Sequence, residues 1–301
     1  MLKSVLGAIS ADMAVDLGSA NTRIHVSGRG VMIHEPTALA MMDAGERSKR
    51  ILAVGLEAQE MEGRCPRDIE VIRPVQQGQV VDFESLESML RHWVLQVQGR
   101  RLWVGPRMAF VIPYGTTDVE QRALRESAEA AGAREVILVE QPLAASIGCD
   151  LPVHAAKGQM LFDIGASTTS VSVVSLGGVA YACTIPVGGR SMDREILLYL
   201  RDERGLHISM AEAERARIRS VSFARGSRAP SSFVRGRDVR SGFPRALSVE
   251  SEELTMALEG TIGRLSDAML QALEKIPAEL ATDVAELGIL MSGGCARTPG
   301  L

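Results

Sequence analysis

The sequence is poor in aromatic residues and in lysine, and each shortage narrows the class of protein. Aromatic residues make up 4% of the 301 residues while 46% are hydrophobic, which is typical of a soluble α/β protein with an aliphatic core. The basic residues are mostly arginine, with only four lysines. The formal net charge of −4 gives no general case for nucleic-acid binding.

Clustered cysteine and long apolar runs are also lacking. The four cysteines show no CxxC or Cys/His ligand spacing, so they are predicted to be reduced thiols, part of neither a disulfide nor a zinc site. No apolar run approaches the roughly 20 residues that span a bilayer, and no signal peptide is visible. These absences predict a cytoplasmic protein.

Two stretches share one pattern: an aspartate, a turn of small residues and a returning β-branched strand. The first is DLGSANTRIHV, Asp16 to Val26. The second is DIGASTTSVSVV, Asp163 to Val174, and it begins 147 residues after the first. A repeat at this spacing predicts two similar halves, each opening with a hairpin.

Strand and helix patterns alternate along the rest of the chain, which predicts α/β layers. Helices are predicted over residues 83–97, 117–131, 193–201 and 251–276, the second from the Thr-x-x-Glu spacing of a capping box. A short buried strand is predicted at 135–139, and residues 288–294 form an apolar strand that ends in a glycine turn. Residues 30–78 are poorly periodic and are predicted to form a small β-rich insertion.

The repeated turn has a chemical interpretation. Small residues let successive backbone N–H groups point into one concavity, which suits phosphate oxygens. The aspartate would repel phosphate unless a hard cation stood between them, and Mg²⁺ can be held by a carboxylate through its own waters. One Asp-Gly turn is ordinary hairpin punctuation, but two at domain-scale spacing predict a clamp for a polyphosphate.

The chain resembles the actin, chaperone and sugar-kinase superfamily, and within it the MreB family of bacterial actin-like rod-shape proteins. The resemblance extends from residue 1 to residue 301 and rests on these ordered motifs: AVDLGSANTRIHVSGRGVMIHEPTALA, IRPVQQGQVVDFE, VIPYGTTDVEQRALRESAEAAGAREVILVEQPLAASIG, DIGASTTSVSVVSLGG, VGGRSMD, VRGRDVRSGFP and PAELATDVAELGILMSGG. It implies an α/β, actin-like (duplicated ribonuclease-H-like) fold with two domains and a nucleotide cleft. The implied domains are 1–148 and 149–301, with smaller inserted subdomains at about 33–76 and 186–249.

The resemblance also implies roles for individual residues, with ATP and Mg²⁺ as the ligands. The two phosphate loops would be formed by Ser19, Ala20, Asn21 and Thr22 and by Gly165, Ala166, Ser167 and Thr168. Asp16 and Asp163 would hold Mg²⁺ through water. The adenosine would be flanked by Glu214, Arg215, Ala216 and Arg217 and by Gly293, Gly294, Cys295, Ala296 and Arg297. Gln141 and Thr168 would orient the attacking water.

Several positions depart from the family pattern. Gln141 stands where the family usually has Glu; it can hydrogen-bond a water but cannot accept its proton, although actin also uses Gln here. Ser167 and Ser170 replace a Gly and a Glu of the second loop, and Arg219 replaces an acid of the adenosine helix. Because losing one positioning contact typically costs on the order of 10²–10³ in rate, turnover is expected to be slow or absent.

Two short segments suggest contact with a membrane. Leu2, Val5 and Leu6 lie at helical spacing in MLKSVLGAIS, where the alternative is a frayed terminus. Leu102 and Trp103 follow two arginines, and the matching loop of the family inserts into membrane. The alternative is that Trp103 packs in the core.

Three functions remain open. The first is an ATP-binding cytoskeletal protein, at most a slow ATPase, whose membrane-associated filaments determine cell shape and organise cell-wall synthesis. Its partners would be its own copies or a complete paralogue, the cytoplasmic face of the inner membrane and wall-synthesis proteins, with no nucleic acid. The second is a degenerate pseudo-ATPase that modulates filaments of a complete paralogue. The third, a small-molecule kinase, lacks an obvious acidic base for an acceptor hydroxyl.

The position of the last residue is a further argument for the second function, the pseudo-ATPase. The family continues past the position of Leu301 with a segment that closes the first domain. The resemblance therefore predicts apolar surface on that domain for another subunit to cover.

Overall fold

The computed structural model describes residues 12–43, 49–98, 105–224 and 229–301. The chain divides into two compact units, Met1–Ala144 and Ala145–Leu301. The helices of the first unit are α1 (Leu56–Met61), α2 (Phe83–Gln98) and α3 (Asp118–Ala130), and α4 (Gln141–Gly148) spans the division. Those of the second are α5 (Gly189–Asp202), α6 (Met210–Ser220), α7 (Ser251–Ala257), α8 (Glu259–Lys275) and α9 (Ala278–Leu287). None of these helices combines the length and apolar composition that a membrane span requires.

The first unit is built on a five-stranded sheet in the order β10-β9-β1-β2-β3. Its strands are β1 (Met13–Leu17), β2 (Asn21–Val26), β3 (Gly30–Pro36), β9 (Arg107–Ile112) and β10 (Glu135–Glu140). Strands β1 to β3 are antiparallel neighbours, whereas β9 runs parallel to both β1 and β10. A small antiparallel sheet holds β4 (Leu39–Asp43), β5 (Lys49–Val54) and β6 (Ile69–Ile72), and a two-stranded ribbon holds β7 (Val75–Gln76) and β8 (Gln79–Val80).

The core of the first unit lies on one face of its five-stranded sheet. Val15 and Ile24 alternate inward along β1 and β2 and are buried with the apolar face of α2. That face contains Leu86, Met89, Leu90, Trp93 and Val97, all buried, as the helical spacing predicts. The capping box at the start of α3 is confirmed, because Thr117 N–H donates to Glu120 and Glu120 N–H donates to the Thr117 hydroxyl.

The second unit repeats this arrangement. A four-stranded sheet has the order β13-β12-β11-β17, from β11 (Gln159–Ile164), β12 (Thr169–Ser175), β13 (Gly178–Ile185) and β17 (Ile289–Ser292). Its first three strands are antiparallel neighbours and β17 runs parallel to β11, as β9 runs parallel to β1. A separate antiparallel sheet contains β14 (Leu206–His207), β15 (Ser232–Asp238) and β16 (Pro244–Val249). The duplication predicted from the two turns is therefore present in the sheet topology.

Three details of the sequence prediction are wrong. Residues 30–36, predicted to belong to the small insertion, form β3 of the main five-stranded sheet. The helix expected over residues 251–276 is two helices that separate at Leu258, just ahead of Gly260, whose missing side chain lowers helix propensity. The strand expected to be buried at 135–139 is buried only in part: Val136 faces the core, whereas Ile137 is 45% exposed. Successive residues of a strand point to opposite faces, and α2 and α3 cover only the face that carries Val136.

Candidate functional site

The turn of the first hairpin connects β1 to β2 and is closed by a backbone hydrogen bond. The amide of Gly18 donates to the carbonyl of Asn21 over 3.1 Å. Ala20 lies at the tip of this turn, and Asp16 lies two residues before the glycine, at the end of the strand. The carboxylate of Asp16 accepts from Arg23, directly opposite in the register, at 3.2 Å.

Hydroxyl groups support this hairpin from behind. The Thr37 hydroxyl donates to the Gly18 carbonyl at 2.6 Å, and the Thr37 amide donates to the Ala20 carbonyl at 2.9 Å. The Thr22 and Thr37 hydroxyl oxygens are 2.9 Å apart, so Thr22 donates to Thr37, whose single proton is already used. The Thr22 side chain, predicted as part of the first phosphate loop, is thus wholly buried and braces the turn. Ser19 is also nearly buried and accepts from the Gly78 amide at 3.2 Å.

The second hairpin repeats the first in its backbone. The amide of Gly165 donates to the carbonyl of Thr168 over 2.9 Å, which matches the Gly18 to Asn21 bond. No oxygen in the described parts of the chain accepts from the amides of Ala166 and Ser167, and both therefore remain available to an anion. These predicted phosphate-loop residues share one turn in the structure.

In each unit, the segment that follows β3 or β13 forms hydrogen bonds to the turn of the hairpin. After β13, the Gly189 amide donates to the Gly165 carbonyl at 3.1 Å and the Arg190 amide donates to the Ala166 carbonyl at 2.6 Å. In the first unit the corresponding segment is Thr37, just after β3. The start of α5 therefore fixes the second turn through its own backbone.

Asp163 lies between the second hairpin and the glycine turn after β17. Its Oδ1 accepts from the Ser292 hydroxyl at 2.7 Å. Gly293 has a φ of 89°, and a Cβ there would lie 2.3 Å from the Ile164 carbonyl oxygen, so only glycine fits. The predicted glycine turn thus packs directly against the strand that carries the predicted metal-binding aspartate.

A buried ion pair lies beneath the second hairpin. Arg217 on α6 donates to Asp193 on α5 at 2.6 Å, and the two side chains are 8% and 4% exposed. Burial raises the pKa of Asp193 to about 6, partly offset by the Arg217 hydrogen bond and charge. The Cys295 thiol lies 3.9 Å from the guanidinium and donates to the Gly165 carbonyl at 3.4 Å. Burial also raises the pKa of this thiol.

The predicted adenosine-flanking residues separate into two groups. Ala216, Arg217 and Cys295 are buried and join α5, α6 and the short 3₁₀ helix Cys295–Arg297 to each other. The rest reach the surface at least in part: Glu214, Arg215, Gly293, Gly294, Ala296 and Arg297. Arg215 pairs with Glu212 on its own helix.

The remaining predicted residues are placed as follows. Gln141 is half-buried at the first position of α4, directly after β10. The predicted membrane residues Leu2, Val5, Leu6, Leu102 and Trp103 lie outside the described residues.

Sequence reasoning missed several residues that shape the site. They are Arg23, Thr37, Gly188, Gly189, Asp193 and Ser292. The Gly188-Gly189 doublet was a usable signal, because paired glycines often mark a close backbone approach. Asp193 gave no signal, because its partner lies 24 residues away on another helix.

The hairpins fit a magnesium phosphate group. Each offers an aspartate beside a turn of small residues, and Ala166 and Ser167 supply amide donors. Across the described ranges, no three His, Cys, Asp or Glu side chains gather into a metal-binding group. A Mg²⁺ ion held by Asp16 or Asp163 would therefore complete its shell with water and phosphate oxygens, as this ion commonly does.

A duplicated sheet with one aspartate-glycine hairpin in each unit defines an actin-like α/β protein. The sequence matches the family model for MreB/Mbl proteins over residues 10–301, so the chain belongs to the MreB/Mbl family. It is 42% identical to the cell shape-determining protein MreB of Escherichia coli K12, over 98% of this chain and 86% of that one. It is 38% identical to the cell shape-determining protein Mbl of Bacillus subtilis 168, over 96% and 86%.

A solved structure shows the same fold. MreB5 of Spiroplasma citri, crystallised with AMPPNP, matches with a TM-score of 0.91 at 29% identity, over 97% of this chain and 87% of that chain. The predicted actin-like fold is thereby confirmed.

Proposed function

We propose that this chain is an ATP-binding cytoskeletal protein that polymerises into filaments at the cytoplasmic face of the membrane and acts in cell-shape determination. Its family supports the cellular role, because the relatives from Escherichia coli and Bacillus subtilis are both cell shape-determining proteins. The nucleotide-bound structure of the related MreB5 supports the ligand. The membrane location rests on the sequence alone, on the spacing of Leu2, Val5 and Leu6 and on Trp103.

The proposal that the chain binds ATP rests on one observation. Each unit has a hairpin in which a glycine amide bonds the carbonyl three residues on, with an aspartate two residues before the glycine. Each hairpin can supply amides and a metal-holding carboxylate to a phosphate group. We propose that the hairpins bind the phosphates of ATP together with Mg²⁺.

Sedimentation tests the proposal. Purified protein is centrifuged with and without ATP, Mg²⁺ and liposomes, and the proposal expects polymer in the pellet only when nucleotide is present. Liposomes should increase the pelleted fraction. A chain that stays monomeric and unbound to liposomes in all conditions would contradict the proposal.

A second function, a pseudo-ATPase that modulates filaments of a complete paralogue, is favoured by one position. Ser170 lies opposite Asp163 in the register and is buried. The resemblance implies an acid at this position. ATP that raises the melting temperature while phosphate release stays at the no-enzyme level would favour this second function. Phosphate release that rises with polymerisation would favour the first.

A further inference from the structure

The two hairpins differ in the residue that lies opposite the aspartate. Asp16 of the first hairpin pairs with Arg23, and Asp163 of the second pairs with Ser170. Arg23 and Ser170 are 147 residues apart, as are the two aspartates, so they occupy equivalent places. The same corner of the repeat thus carries a cation in the first unit and a neutral hydroxyl in the second.

The geometry joins Arg23 to the carboxylate. Its Nη1 donates to Asp16 Oδ2 at 3.2 Å, and both side chains are about half exposed. Arg23 points to the open face of the sheet, because its neighbours Thr22 and Ile24 point into the core. His25 and His34 are exposed on the same face, and His34 is the β3 neighbour of Arg23. Arg23 is therefore a basic side chain that contacts Asp16 on this face.

The Arg23–Asp16 pair can serve in phosphate binding. A carboxylate beside a phosphate group needs a cation between them, and Mg²⁺ held through water is one way to supply it. A guanidinium supplies a fixed positive charge, and its remaining N–H groups can donate to phosphate oxygens. Arg23 lies three residues after Ala20, on the strand that leaves the turn.

An ordinary surface ion pair is the competing explanation, since exposed pairs contribute only about 0–1 kcal/mol to stability. Arg107 with Asp12 is such a pair on the same sheet, away from the turn. What sets Arg23 apart is its partner, because Asp16 is the one carboxylate on the strand that enters the first turn.

We propose that Arg23 is a phosphate-binding residue of the first hairpin, and that its charge beside Asp16 makes ATP binding less dependent on Mg²⁺. The inference rests on the proposed function, because it assumes that ATP is the ligand.

ATP titration calorimetry of the full chain tests the inference, in excess Mg²⁺ and in EDTA. Arg23→Gln removes the charge, Arg23→Lys restores it, and Arg107→Gln is the matched control. Arg107→Gln should lose affinity by the same factor as wild type when EDTA replaces Mg²⁺. Arg23→Gln should lose about tenfold more than wild type, as expected for a charge-assisted hydrogen bond, and Arg23→Lys should fall between them.

Three results would overturn the inference. They are an unchanged Mg²⁺ dependence in Arg23→Gln, an equal loss of affinity in both conditions, and an Arg107→Gln protein that behaves like Arg23→Gln. In each of these the wild type still binds ATP, so the proposed function stands. A wild type that binds no ATP in either condition overturns both.

Discussion

A buried threonine hydroxyl braces each hairpin, Thr22 in the first and Thr169, which donates to the Val187 carbonyl, in the second, but only the second also has a buried ion pair beneath it among the described residues. Behind the first, Thr22 and Thr37 form a short neutral chain that ends on the Gly18 carbonyl. Beneath the second, Asp193 and Arg217 form a buried ion pair, joined to the Gly165 carbonyl through the Cys295 thiol. One backbone conformation is thus supported in two chemically different ways.

The difference has physical consequences. Neutral hydroxyl chains are insensitive to pH and lose only one or two hydrogen bonds when a member is removed. A buried ion pair leaves an uncompensated charge when one partner is removed, and it titrates. The second hairpin should therefore be the more fragile of the two, and its buried support should depend on pH.

The largest effect is expected from Arg217→Met. The substitution leaves Asp193 buried without its partner, which should lower the free energy of unfolding by about 3–5 kcal/mol. Arg215→Met is the matched control on the same helix, because Arg215 is 73% exposed and pairs at the surface with Glu212. Denaturant titration should find a loss below about 1 kcal/mol for the control. Equal losses in the two variants would show that the buried pair does not support this unit.

The next effect is a pH dependence that comes from Asp193. Its folded pKa of about 6 lies above the unfolded value of about 3.9, so the folded state holds the proton more tightly. The resulting stabilisation is complete below about pH 4 and is lost as the pH rises to about 6, amounting to roughly 2–3 kcal/mol. The charged groups that act on this carboxyl are Arg217, Glu214 and Arg190, with Cys295 on the far side of Arg217.

Denaturant titrations of wild type and Asp193→Asn across this pH range measure the effect. The difference between their free energies of unfolding should change across this window in favour of wild type at low pH. If this difference in free energy of unfolding does not change with pH, ionisation of Asp193 does not affect the stability of the second hairpin. Thr22→Val, in the first hairpin, should show no such slope relative to wild type.

A smaller effect should separate the two turn glycines. An added Cβ at Gly18 would lie 2.6 Å from the Asn21 carbonyl oxygen, whereas one at Gly165 would lie 3.0 Å from the Thr168 oxygen. Gly18→Ala should therefore cost more than Gly165→Ala, within the roughly 1–3 kcal/mol range of overpacking. Thermal melts of the two variants provide the measurement. A reversed order would mean that the first turn relaxes more easily than its backbone suggests.

Much of this arrangement could be predicted from the sequence. The two hairpins repeat the same residue types at matching positions, and that local pattern was sufficient to predict the turns, the strands and the duplication. Helix α2 was predictable because its apolar residues recur at helical spacing. The family resemblance then indicated the actin-like fold.

What could not be predicted depends on contacts between distant parts of the chain. Thr37 was assigned no role from the sequence, and its role exists only because β3 returns it to the turn. Arg217 was predicted to flank the adenosine, yet its guanidinium is buried against Asp193, since α5 and α6 pack together. Arg23 became significant only once the register placed it opposite Asp16.

ATP binding by the wild-type chain tests the central claim most directly, namely that the two hairpins are phosphate-binding elements. Calorimetric titration of the wild-type chain with ATP and Mg²⁺ measures this binding. The account predicts saturable binding of ATP. An absence of saturable binding would contradict it.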